Sequence, residues 1–242
     1  MTQPISRTKS VATAIGLTYG SYGIGAIILL IVASILSLGG VDLTSQPSLR
    51  LLLSTVLLQG VTFGGLALGY LKVRDLGFDY VPFAIPDRRD TAVIIGGIIA
   101  LLGLLVASSS VLSTLGLSTA QNQIVETGQQ NPTVFLLLIP ASFLLVGPGE
   151  ELLFRGLVQG TLRESFSPTR AVVLASALFA SIHLVSLSGE GKLLYIGVAF
   201  MLALVLGGVY EYTDNLIVPA LIHGAYNAVQ FAIAYLNATG GL

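Results

Sequence analysis

Apolar runs long enough to cross a bilayer recur seven times along this chain, and they fix most of what it can fold into. A spanning helix needs about 20 predominantly apolar residues. The runs are Ala12–Leu38, Leu49–Leu71, Thr91–Leu115, Thr133–Leu162, Thr169–Leu187, Leu193–Tyr212 and Asn215–Leu236. Only 10% of the 242 residues are charged and 54% are hydrophobic, where a soluble domain carries about 25% charge. The expectation is an all-α polytopic transmembrane helical bundle of about seven to eight spans, with one membrane domain over residues 1–242. The first run follows Arg7 and Lys9 with no polar stop after a small-residue cleavage site, so it reads as a retained helix.

Composition also removes several kinds of chemistry. There is no cysteine, which excludes disulfides, thiol catalysis and thiolate–zinc sites. A net charge of −1 argues against a nucleic-acid partner. The only imidazoles are His183 and His223.

Basic residues set the expected orientation. Arg7, Lys9, Lys72, Arg74, Arg88, Arg89, Arg163 and Arg170 fall in loops on one side, and only Arg50 and Lys192 on the other. This places the N-terminus in the cytoplasm and the C-terminus outside. The polar stretch Ser118–Pro132 reads as a loop or an interfacial helix. Tyr212–Asn215 carries no basic residue and is the weakest join in this topology.

Charged groups inside an apolar run need an explanation, because each costs about 2.5–3.5 kcal/mol at the centre of a bilayer. The fourth run contains three: Glu150, Glu151 and Arg155. Pro148, between two glycines, is expected to kink or break the helix just before them. Glu151 and Arg155 stand four residues apart on one face and can pair; Glu150 is turned away and left available. A structural ion pair, with Arg155 snorkelling to the surface, is the plainer alternative. The fifth run holds His183 one turn after Phe179, and the seventh holds His223 and Asn227 four residues apart. Each histidine alone could be a satisfied interior group. Together, an acidic pair, both histidines, an Arg and an Asn lie in three runs of the C-terminal half, and the first three runs carry no comparable ionisable group. Glu and His can activate water, as zinc ligands or as general bases. Asn and a second His can donate to an oxyanion. A polar cavity within the bundle is the expected setting.

These residues resemble the CPBP family of intramembrane proteases, which includes the Rce1-type CAAX prenyl endopeptidases. The family motifs EExxxR, FxxxH and HxxxN appear in order as Glu150-Glu151…Arg155, Phe179…His183 and His223…Asn227. The resemblance covers a motif-bearing core of about 133–237. It implies a membrane endopeptidase in which Glu150 and His183 activate water and His223 and Asn227 stabilise the oxyanion. Glu151 and Arg155 would hold His183 in place. It leaves two routes open: a metalloprotease with Zn²⁺ on Glu150, His183 and His223, or a metal-free glutamate mechanism. The implied partner is a membrane-associated protein or peptide, prenylated or not, cut near the cytoplasmic side; the oligomeric state does not follow. Two other readings use the same residues: a catalytically silent membrane scaffold, and an ion or proton transporter. The transporter reading lacks the paired helix breaks of a two-fold repeat.

Overall fold

The computed structural model describes residues 6–241. Seven helices in it are long and apolar enough to cross a membrane. The first four run over Arg7–Leu38, Pro47–Val73, Arg88–Thr114 and Thr133–Arg163. The last three are Pro168–Ser186, Lys192–Thr213 and Ile217–Thr239. The chain is an integral membrane protein with an all-α architecture, as the apolar runs implied.

Helix ends are set by local chemistry. Ser6 accepts from the Lys9 amide at the start of the first span, and Asp87 accepts from the Asp90 amide at the start of the third. These side chains satisfy donors that the helix leaves open. Proline opens the second and fifth spans at Pro47 and Pro168, where a missing amide hydrogen costs nothing.

All the basic loops meet at one end of the bundle. There Arg74 bonds Glu164 at 2.9 Å, Tyr80 donates to the same carboxylate, and Ser10 donates to the Thr161 carbonyl. Burial pushes the Tyr80 phenol well above its ordinary pKa. Tyr212–Asn215, the weakest join by sequence, is firmly tied. Asn215 is buried, donates to the Ala84 carbonyl and Asp90, and accepts from the Ala84 amide.

The opposite end carries a small cap. Gln121–Asn122 pairs antiparallel with Leu187–Ser188, and a short helix follows over Gln123–Gln130. Ser118–Pro132 is therefore more ordered than a plain loop. Asn122 reaches Tyr195, and Glu126 accepts from Ser188.

Side chains sort by neighbour rather than by polarity. Ile27, Leu30, Ile31, Ile99 and Val106 point outward, more than half exposed, as lipid-facing residues do. The most apolar stretch is 11% buried in the first and third spans but 44% buried in the fourth and seventh. The two inner helices are thus ones that carry charged or polar motif residues. Tight contacts seat them. A side chain on Gly224 would meet the Ser142 carbonyl at 2.8 Å, and one on Gly149 would collide with the Gln59 carbonyl. Glycine there permits backbone-to-backbone approach.

Of the kink or break that the sequence suggested at Pro148, the break does not occur. The chain stays helical, and wide i→i+5 turns over Ser142–Val146 and Leu152–Gln159 flank the five residues Gly147–Glu151. Widened turns accommodate a residue that cannot donate to the regular ladder, and they recur at functional sites. A third such turn, Val56–Thr62 in the second span, lies against the same place.

Candidate active site

Glu150 and Glu151 are both buried, at 6% and 0% exposure, and one residue of rotation gives them different partners. Glu151 accepts from His223 Nδ1 at 2.8 Å through Oε1, and its Oε2 faces Arg155 Nε at 3.0 Å. Glu150 accepts from Gln59 Nε2 at 2.8 Å through Oε1, and its Oε2 lies 3.8 Å from His223 Nε2. His223 therefore stands between two carboxylates. Because an ionised carboxylate only accepts, the Glu151 contact assigns a proton to Nδ1 of His223.

Arg155 does not snorkel to the surface. It is fully buried, and Nη2 donates to the Ala203 carbonyl of the sixth span at 3.3 Å. Its guanidinium also sits 5.1 Å over the Phe179 ring, an attraction that strengthens when desolvated. The contact repeats one turn further on, where Gln159 donates to the Gly207 carbonyl. One turn beyond that, Arg163 pairs with Glu211. This four-residue ladder seals the fourth span to the sixth between the site and the basic end.

The resemblance implied that Glu151 and Arg155 hold His183. In the structure the imidazole that Glu151 binds is His223 instead. The reason is spatial: the fourth and seventh spans are in direct backbone contact, whereas His183 sits at the end of the fifth. His183 is oriented by its own helix, with Nδ1 donating to the Phe179 carbonyl at 2.9 Å. A carbonyl only accepts, so Nδ1 carries the proton, and in the neutral imidazole Nε2 keeps its lone pair. Phe179 packs against both histidines, with ring centroids 4.8 Å from His183 and 5.9 Å from His223. Phe154 packs edge-on to it at 5.0 Å.

A cavity of about 220 Å³ adjoins these groups. His183, His223 and Asn227 are in its wall, together with Tyr195, Tyr226 and Gln230. The remaining wall is mainly leucine, valine and alanine from the third and sixth spans. Glu150 is not in that wall and stands beyond His223.

Among the described residues, no three His, Asp or Glu side chains gather as a metal-holding group. Zinc held by Glu150, His183 and His223 stays the metal route that the resemblance allows. His223 Nδ1 is committed to Glu151, and its Nε2 faces Glu150 across 3.8 Å, a gap that two bonds of about 2 Å to one zinc ion would span.

Sequence reading missed Gln59, which contributes the direct hydrogen bond to Glu150. The available signal was a lone amide in an otherwise apolar span. Tyr195, Tyr226 and Gln230 were missed too, since nothing in spacing marks an aromatic or amide as a cavity wall.

Residues 132–229 match the family model described as type II CAAX prenyl endopeptidase Rce1-like. The match supports the CPBP/Rce1-type assignment. All seven motif positions, from Glu150 to Asn227, lie within it, on the fourth, fifth and seventh spans. At the general level it supports a protease in a membrane, acting on a protein substrate. No curated protein and no solved structure gives a significant match.

Proposed function

We propose that this protein is an intramembrane endopeptidase that cleaves a membrane-associated protein or peptide with water activated by Glu150 and His183. The observation that carries the reading is the meeting of both histidines and Asn227 at one cavity within the bundle, with Glu150 3.8 Å from His223.

Glu150 is the acid whose second oxygen has no close donor, since Gln59 engages only Oε1. It takes a proton from water, and the resulting hydroxide forms a C–O bond at the substrate carbonyl. His183, with a free Nε2, orients that water as the second base. The carbonyl electrons move onto oxygen, where the Asn227 amide donates to the oxyanion, joined by His223 Nε2–H when that imidazole is doubly protonated. The proton on Glu150 passes to the leaving nitrogen as the C–N bond breaks. Glu151 and Arg155 serve as positioning groups, fixing His223 through its Nδ1.

The deciding experiment uses purified protein in proteoliposomes with two fluorogenic peptides, one a prenylated CAAX-type sequence and one an unprenylated apolar segment. Glu150→Gln keeps the size and the acceptor for Gln59 but cannot take a proton. It is expected to lower kcat by at least about 100-fold, the usual worth of a general base, with folding unchanged by thermal unfolding. Undiminished cleavage by that variant rejects the mechanism. If the variant also supports the cellular phenotype, the scaffold reading replaces it.

A further inference from the structure

Tyr195 lies in the first turn of the sixth span, where its amide donates to the Gly191 carbonyl at 3.1 Å. Gly191 has a φ of +76°, and a side chain there would strike the Ser118 carbonyl. Glycine thus lets the sixth span begin directly against the cap. Within the cap, Asn122 pairs with Leu187, which follows His183 by four residues on the way out of the fifth span. Asn122, Tyr195 and His183 are therefore held in one corner of the bundle. Tyr195 and His183 share the cavity wall, with ring centroids 6.3 Å apart.

Proton accounting in that corner leaves one donor unspent. Oδ1 of Asn122 accepts from the Ile124 amide at 2.9 Å and caps the helix Gln123–Gln130. A backbone amide only donates, so the two ends of the Asn122 side chain cannot be exchanged. Nδ2 is consequently the end that faces the Tyr195 hydroxyl, at 3.3 Å, and an amide nitrogen only donates. The phenol oxygen accepts this bond, and its own hydrogen takes no part in it. Among the described residues, no acceptor takes that hydrogen.

A tyrosine O–H in a cavity wall normally finds a partner. Here the ring is fixed by the sixth span and the oxygen by Asn122, so the donor is oriented in advance. Its complement is a neutral acceptor, and a peptide carries one at every residue in its backbone carbonyl. Asn122 lies outside the matched residues 132–229, and Tyr195 belongs to none of the three motifs.

We propose that Tyr195 is a substrate-binding residue whose O–H donates to a backbone carbonyl of the peptide in the cavity, with Asn122 as the positioning residue that keeps this hydrogen free. The proposal rests on the endopeptidase reading above. The carbonyl concerned is one that does not react, so the bond holds substrate and transition state alike and acts on KM rather than on kcat.

Tyr195→Phe deletes only the hydroxyl. In the proteoliposome assay it is expected to raise KM roughly 2- to 12-fold, the worth of one neutral hydrogen bond, with kcat unchanged. Asn122→Asp keeps an acceptor for the Ile124 amide but turns the donor toward Tyr195 into a second acceptor, which captures the phenol hydrogen. It is expected to raise KM as much as Tyr195→Phe does, with Tm unchanged. Adding Asn122→Asp to Tyr195→Phe is expected to bring no further rise, because no hydrogen is left to capture. A further rise would assign the effect to the added charge and overturn the role of Asn122. An unchanged KM in Tyr195→Phe, or a loss confined to kcat, overturns the proposal. Binding of the same peptides to the Glu150→Gln variant, read by fluorescence anisotropy, separates the two ideas. If Tyr195→Phe weakens Kd in that background by the same factor while Glu150→Gln still cleaves, the contact stands and the mechanism falls. Equal Kd with and without the hydroxyl, together with lost cleavage in Glu150→Gln, does the opposite.

Discussion

Glu151 accepts a hydrogen bond from His223 at 2.8 Å, joining two residues 72 positions apart in the chain. That bond commits one of the two adjacent acids to structure and turns the imidazole edge of His223 toward Glu150. The same Glu151 carboxylate binds Arg155, so three motif residues form one buried unit.

Removing one member of that unit is expected to be costly. Arg155→Met leaves Glu151 as a buried charge without its cation, a change worth about 3–5 kcal/mol of stability. Thermal unfolding in detergent should show a clear fall in Tm. The double variant Glu151→Leu/Arg155→Met should recover most of that loss, yet remain inactive because His223 has no anchor. Recovery of cleavage in the double variant would show that the unit has no positioning role.

Gln59 should behave as a positioning residue. Hydrogen bonds to charged groups contribute about 1.5–3 kcal/mol, so Gln59→Leu should lower kcat by roughly 10–100-fold. KM should change little, because Gln59 is not in the cavity wall. A rise in KM with kcat intact would place its role in substrate binding instead.

Close approach at Gly149 predicts a contrast between two glycines. Gly149→Ala forces a methyl group against the Gln59 carbonyl, and overpacking of this sort costs about 1–3 kcal/mol. Gly64→Ala meets nothing within 4 Å and should be neutral or slightly stabilising, since alanine favours a helix. Equal Tm values for the two variants would contradict the packing described.

Chelation tests the metal route. On the metal-free route, with Glu150 itself taking the proton from water, 1,10-phenanthroline is expected to leave the cleavage rate unchanged. Loss of activity that added Zn²⁺ restores would move water activation from the Glu150 carboxylate to a bound metal.

Asn215 should matter for assembly rather than chemistry. Its buried side chain holds Ala84 and Asp90 from another segment, and Asn215→Leu removes these part-buried hydrogen bonds, each worth about 0.5–1.5 kcal/mol. Tm should fall while kcat of the surviving folded protein stays near that of the unaltered chain.

Length and apolarity alone determined an integral membrane protein of about seven to eight spans, because a bilayer admits only segments that satisfy their own backbone. Seven helices long and apolar enough to cross are present among the described residues. The six polar motif positions were also legible, since charged and amide groups are conspicuous where every neighbour is apolar. Local spacing even gave the Glu151–Arg155 pair, which one helix turn brings together. Only the tertiary structure decided which histidine Glu151 binds, because that depends on the fourth and seventh spans touching through Gly147 and Gly224. It likewise decided that Pro148 is absorbed by wide turns rather than a break, and that Gln59 reaches Glu150. Contacts between helices depend on depth and rotation in three dimensions, and a pattern of periods along one chain carries neither.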